Sequence, residues 1–220
     1  MVNSGQPMST ALHEAGELTV ANDASACPSA EPVNVSQGIP AGAGERITLR
    51  DGRSAYLRPI TPAARPLIEA AMRTLSPETS RRRFFTVRHE LSDTELERMT
   101  RLDGWWQHAI GAVSVRADGR TEGVGVARWV RDADDPARAE FAMLIVDRWQ
   151  RQGLGSALLT RLSRMALARG IERFTGSVLA DNAPMFALIE RQAPLAVRTR
   201  GRDFDTVEFL LAPGTLRVAA

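Results

Sequence analysis

Residues 139–170 begin Ala139-Glu140-Phe141-Ala142-Met143-Leu144-Ile145-Val146, continue through Asp147-Arg148-Trp149 into Gln150-Arg151-Gln152-Gly153-Leu154-Gly155-Ser156, and run on to Gly170. The opening run ends in Leu, Ile and Val and reads as a buried strand. In the closing run Leu154, Leu158, Leu162 and Met165 recur at helical spacing, with Arg161, Arg164 and Arg169 between them and Gly170 as the stop. A glycine-bearing loop therefore joins a strand to a helix start. Such a junction attracts anions, because the first helical turn leaves its N–H groups unpaired and the peptide dipoles add partial positive charge there. Gly153 and Gly155 carry no Cβ to hold a phosphate away from those amides. A Walker loop would end in Gly-Lys-Ser/Thr, and no lysine stands here. A dinucleotide fingerprint would need a third small residue at another spacing and an acid about twenty positions on.

What fits is Gln-x-x-Gly-x-Gly. Gln150-Arg151-Gln152-Gly153-Leu154-Gly155 resembles the acyl-CoA pyrophosphate loop of the GNAT superfamily of N-acetyltransferases. The strand before it, the helix after it and Asn182 at the start of a later helix strengthen that resemblance.

The rest of the chain agrees in pattern. With 220 residues, 44% of them apolar, it can bury one good core. Residues 1–45 hold five acidic and no basic side chains, so a chain of net charge +2 leaves +7 on the remainder. That basic body suits an anionic ligand, but its arginines are too scattered to predict nucleic-acid binding. All 28 basic residues are arginine. The single cysteine, Cys27, can form no internal disulfide, and no secretory signal or membrane-length apolar run is evident, so a cytoplasmic setting is expected. Residues 1–45 lack periodicity and are expected to form a disordered or low-complexity tail, with a short helix over Ser9–Leu18 as an option.

From 46 to 220 the signals predict a single domain. Ile47–Arg50 and Ser54–Ile60 alternate around Asp51-Gly52 as a hairpin. Thr61-Pro62, Ser76-Pro77 and the capping box Ser92-Asp93-Thr94-Glu95 open three helices. His108–Val115, Gly123–Trp129 and Glu140–Val146 form a meander, the central helix follows, and Ile171–Leu179, Asn182–Gln192 and the hairpin Leu195–Arg200/Thr206–Leu211 close the chain. The order β-β-α-α-α-β-β-β-α-β-α-β-β predicts an α+β fold. Its one mixed, mostly antiparallel sheet is flanked by helices, as in GNAT proteins. Leu57-Arg58-Pro59-Ile60-Thr61, Leu75-Ser76-Pro77-Glu78, Arg83-Phe84-Phe85, Ala139–Ala142 and Leu179–Met185 are similar to one subgroup, the bacterial protein-lysine acetyltransferases.

The resemblance implies acetyl-CoA as acyl donor, without a metal, and an amine acceptor, either a protein lysine or a small molecule, with no nucleic-acid or membrane partner. It implies a strand that splays from its neighbour at a bulge, with main-chain contacts to pantetheine from Met143 and Ile145 and with Leu144 also at the cofactor. The amides of Arg151, Gln152, Gly153, Leu154, Gly155 and Ser156 would hold the pyrophosphate, and Asn182 would face the cofactor. Acyl transfer to an amine needs a base, since an ammonium has no lone pair. Glu140 is the candidate, on an otherwise apolar strand that should raise its pKa. His108 is the runner-up base. Asp103, Asp132, Asp134 and Asp135 are candidates to attract a cationic amine, and Trp105, Trp106 and Trp129 to wall a cleft.

Two departures stand out. The tyrosine that many GNAT enzymes carry seven positions after the asparagine is Ile189 here, and Ser177 stands where some relatives place a glutamate. The first departure keeps a second reading open, a CoA-binding sensor that does little chemistry.

Overall fold

Strand alternation in the first hairpin starts the sheet of the computed structural model, which describes residues 44–211. Cys27 and the Ser9–Leu18 option lie outside those residues. Strands β1 (Glu45–Thr48) and β2 (Ser54–Pro59) pair antiparallel around a turn at Gly52. Pro62–Ala64 forms a 3-10 turn leading into α1 (Arg65–Met72). Thr61 has the extended backbone of a cap, yet its hydroxyl caps nothing and is buried without a partner. Helix α2 (Pro77–Phe84) is capped by Ser76, whose Oγ accepts from the Thr79 amide at 3.1 Å. Helix α3 (Asp93–Thr100) has the full capping box: Ser92 and Glu95 each accept from the other's backbone amide.

Strands β3 (Gln107–Val115), β4 (Thr121–Arg131) and β5 (Arg138–Ile145) are the expected meander. After β5 come the 3-10 turn Asp147–Trp149, helix α4 (Leu154–Leu167), strand β6 (Arg173–Val178) and helix α5 (Ala183–Gln192). The hairpin of β7 (Val197–Thr199) and β8 (Asp205–Leu210) closes the fold. The eight strands lie in the order β1-β2-β3-β4-β5-β6-β8-β7, and among the described pairs only β5–β6 is parallel. This is the predicted element order on one mixed sheet.

Two local features set up the site. One extra residue, Val124, bulges β4 between the pairs Ala112–Gly125 and Val113–Gly123. The bulge is thus on β4; β5 pairs with β4 in unbroken register from Gly125–Ile145 to Arg131–Ala139, so the bulge expected on β5 is not there. The second feature is the short reach of the β5–β6 pairing. It covers Arg138–Glu140 against Arg173–Thr175 and stops. Just past it, the Phe141 ring lies over Gly176 and stacks on Phe174 (centroids 5.6 Å apart), with Phe209 edge-on to both. A Cβ on Gly176 would sit 2.8 Å from that ring and 3.2 Å from the Phe141 carbonyl oxygen, so only glycine admits this packing.

Alternation then assigns the two faces. Arg128, Glu140, Ala142 and Leu144 share the face toward α1 and α2, while Trp129, Phe141 and Met143 share the face toward α4. The α4 side holds the main core, with Leu158, Leu159, Leu162, Phe174 and Trp129 fully buried. Gly176→Val is expected to overpack the β5–β6 junction and destabilise the protein by about 1–3 kcal/mol, seen as a lower midpoint in urea unfolding.

Candidate active site

The turn after β5 is tied to α2 by a knot of hydrogen bonds. Asp147 accepts from the Ser76 amide (3.0 Å), the Ser76 hydroxyl (2.6 Å) and the Thr79 hydroxyl (2.7 Å). Burial works to raise this carboxyl, but the donors of Ser76 and Thr79 outweigh it and hold Asp147 below the usual carboxylate range. Gln150 completes the knot: its side-chain amide donates to Thr79 Oγ1 and to the Ile145 carbonyl, both at 3.0 Å. The first glutamine of the loop motif therefore braces the loop against the end of β5 and the start of α2.

Beyond it the backbone takes two left-handed steps, Arg151 at φ 59° and Gly153 at φ 93°. Gly153 occupies the cap position of α4, and no side chain caps that helix. A non-glycine residue held left-handed beside an uncapped helix start is strain of the kind found at ligand-binding loops. Gly155, in the first turn of α4, has little room: a Cβ would lie 3.3 Å from Leu188.

Above the loop lies a cavity of about 520 Å³ bounded by β5, the loop, α2 and α5. Arg50, Arg82, Arg83, Arg151 and Arg191 line it, and among the described residues no carboxylate does. Five guanidiniums and an uncapped helix N-terminus make an anion-binding cavity. Of the residues singled out from sequence, Met143, Leu144, Ile145, Arg151, Gly153, Gly155, Ser156 and Asn182 all line it. Gln152 and Leu154 do not: the Gln152 carbonyl accepts from the Arg50 amide at 3.1 Å, and the Leu154 side chain is core. Their contribution is confined to main-chain N–H groups.

Asn182 caps α5 through its own Oδ1, which accepts from the Met185 amide at 3.3 Å. The Arg138 carbonyl and the Val146 amide both bond toward β4, so alternation turns the polar backbone of Met143 and Ile145 the other way. That is the side from which β6 has departed. Leu144 instead offers the cavity its side chain. The distant arginines, together with Thr79, escaped the sequence reading, because they come from separate elements whose spacing carries no signal. Asp147 and Gln150 stood within the decisive stretch, but nothing in the spacing revealed their bonds to α2.

Glu140 is the last residue of β5 paired to β6, where the strands part. It is half-buried on the α2 face, and burial pushes its carboxyl up to about 7 although Arg83 and Arg128 pull it down. Neither arginine forms an ion pair with it. Arg138 is bonded to Asp132, and Arg128 donates to Gln107 Oε1 at 2.9 Å.

His108, the runner-up base, projects from the opposite face against Trp129, with ring centroids 5.9 Å apart. It is 8% exposed, and burial reinforced by the Arg169 charge lowers its pKa to about 4. It is separated from Glu140 by the sheet. Three of the four candidate acids are committed elsewhere, and the fourth, Asp134, is exposed on the hairpin. Asp132 pairs with Arg138, Asp135 with Arg173 at 2.6 Å, and Asp103 accepts from the amides of Trp105, Trp106 and Gln107. Trp129 is fully buried, and none of Trp105, Trp106 and Trp129 lines the cavity, so the expected aromatic wall is not there. Among the described residues no three His, Cys, Asp or Glu side chains cluster as metal ligands, and no helix is long and apolar enough to cross a membrane.

Residues 74–193, more than half of the chain, match the sequence profile of the acetyltransferase (GNAT) family. The chain belongs to that family. It is 31% identical over 152 residues to acetyltransferase Pat of Mycolicibacterium smegmatis, a match covering 69% of this chain and 44% of the relative. The chain thus spans less than half the length of that protein. An acetyltransferase of Pseudomonas aeruginosa is 28% identical over 139 residues, covering 63% of this chain and 73% of the relative. Among solved structures, the GNAT domain of S. lividans PAT superposes with a TM-score of 0.68 at 28% identity, covering 78% of this chain and 98% of that one.

Gly153→Val forces a β-branched residue into the left-handed step that opens α4. It is expected to cost about 1–3 kcal/mol in backbone strain. The measurable result is a lower melting temperature than that of Gly153→Ala, since the Cβ itself meets open space.

Proposed function

We propose that this GNAT domain transfers the acetyl group of acetyl-CoA to a primary amine, with Glu140 as general base. The observation that carries the reading is the position of Glu140. A carboxyl with its pKa near neutrality stands where β5 leaves β6, three residues before Met143, where the same strand begins to line a cavity with cationic walls. Coenzyme A carries its negative charge on phosphates and its thioester at the end of a long arm. The loop amides of residues 151–156 and the arginines suit the phosphates. The backbone of Met143 and the Ile145 amide, facing the gap left by β6, suit the amide-bearing arm as an added strand would, while the Ile145 carbonyl already accepts from Gln150.

The thioester then lies within reach of Glu140. The carboxylate takes a proton from the acceptor's ammonium, and the freed lone pair attacks the thioester carbonyl carbon. A C–N bond forms, the C–S bond breaks, and the nitrogen's surplus proton leaves with the sulfur. The net products are the N-acetyl amine, free CoA thiol and one proton. Ile189, at the position where many relatives carry tyrosine, is buried in the core and offers the sulfur no proton. The adduct's own nitrogen supplies it. Protein lysine, which the resemblance suggests, and a small amine are both acceptors for this chemistry.

Glu140→Gln keeps the shape and removes the base. Turnover should fall about 10²–10⁴-fold while acetyl-CoA affinity, measured by calorimetry, changes little. Near-normal turnover would take Glu140 out of the role.

Because the Glu140 pKa is raised to about 7, the carboxyl is protonated and inactive below that pH and is the working carboxylate above it. The kcat/KM for an acceptor should therefore rise through about pH 7 and lose that inflection in Glu140→Gln. A rise governed only by the amine's own pKa would count against the assignment.

A further inference from the structure

On the α1–α2 face of the sheet lies a second, smaller cavity of about 90 Å³. It meets the cofactor cavity at Arg83 and Leu144, which line both. Its walls are almost wholly apolar, supplied by such residues as Leu67, Ile68, Phe84, Met99 and Ala142. The exceptions are three arginines, Arg58, Arg83 and Arg128, and no acidic side chain lines it. Arg128 is 8% exposed and its Nε is buried without a partner. Arg83 has no hydrogen bond or ion pair among the described residues, and its guanidinium lies 5.0 Å from the centroid of the Phe84 ring. Among the described residues Glu140 is the carboxylate whose charge acts on Arg83 and Arg128; it forms no ion pair with either and lines neither cavity. A buried guanidinium with an unbonded Nε, as in Arg128, is costly in an apolar chamber, and an anion arriving there recovers part of that cost.

Resting on the acetyl-transfer reading above, we propose that the acceptor is a small amine bearing a carboxylate, of the type of an apolar α-amino acid. Its carboxylate would be held by Arg128 and Arg83, its nitrogen presented to Glu140, and its side chain seated in the apolar chamber. The charge pattern matches a zwitterion: Arg83 and Arg128 in the chamber wall for the carboxylate, and for the ammonium Glu140, which lies outside the lining but close enough for both guanidiniums to act on its charge. A lysine side chain matches it poorly, because it brings a second cation to an already cationic chamber. Of the acids that would draw such a cation, Asp132 and Asp135 are bound to Arg138 and Arg173 and Asp103 to backbone amides, which leaves the exposed Asp134. A cavity of about 150 Å³ accepts a benzene ring, so this smaller one selects a short aliphatic or thioether side chain over an aromatic one. The reaction itself is unchanged: the new bond joins the α-nitrogen to the acetyl carbon, CoA leaves as the thiol, and one proton is released.

The test is free-thiol release by the full chain with acetyl-CoA and matched acceptors. These are leucine and methionine, the decarboxylated analogue isopentylamine, phenylalanine, and a lysine-containing peptide. The expected kcat/KM for leucine or methionine exceeds that for isopentylamine by roughly 10- to 100-fold, the scale of a charge-assisted contact, and exceeds that for phenylalanine and the peptide. In Arg128→Gln the leucine preference over isopentylamine should collapse toward unity with acetyl-CoA affinity unchanged, and Arg128→Lys should restore part of it. If Arg128→Gln does not fold, the panel on the unaltered protein still decides.

Equal rates for leucine and isopentylamine, or a preference for the peptide, overturn the proposal while leaving acetyl transfer standing. Preference for a longer acyl-CoA that fills the chamber also overturns it, by giving the cavity to the donor. Binding of acetyl-CoA without thiol release to any amine removes the catalytic reading and this one with it.

Discussion

Everything at the site follows from two strands ceasing to pair. Beyond Glu140 the polar backbone of β5 loses β6 as a partner, and unpaired main-chain groups in a partly buried strand require something else to bond. The parting is held open by packing. Phe141 fills the space over Gly176 and joins Phe174 and Phe209 in one aromatic cluster, which fixes the angle between the strands from the α4 side. On the other side Asp147 and Gln150 fasten the end of β5 to α2. The gap is therefore a built feature, bounded by core packing on one face and a hydrogen-bond knot on the other.

That knot also sets the electrostatics. Helix α2 carries Arg82 and Arg83, and its start is bonded to the turn that leads into the glycine loop. The loop amides and these arginines are thus positioned by the same few side chains, so the anion cavity and the neighbourhood of Glu140 form one rigid arrangement. Glu140 feels two opposing influences: burial favours its neutral form and the guanidiniums favour its charge. Burial wins, leaving a carboxyl that ionises near neutral pH, where a proton acceptor is most useful.

The fold was largely open to reading from the chain. The capping boxes, the Pro-started helices and the period-two runs are local signals, and local hydrogen bonds realised them at Ser76, Ser92 and Asn182. Thr61 carried the same signal and failed, because a 3-10 turn began there and its hydroxyl found no amide to cap. The bulge was misplaced by one strand, since a sequence shows which strands alternate but not which of a pair holds the extra residue. His108 and Glu140 looked like alternatives for one role until pairing put them on opposite faces.

The chain by itself determined the strand–loop–helix with its paired glycines, the candidate acid on β5, and the order of the elements. These depend on backbone conformation and on neighbours within a few residues, which spacing records. Only the tertiary structure decided which charges meet. Arg50, Arg83, Arg128 and Arg191 lie on four different elements, and the aspartates beside the hairpin could be judged free or occupied only once their arginine partners were in place. Charge acts through space with no memory of sequence distance, so a chain whose basic residues are all arginine reveals its cationic chambers only when folded.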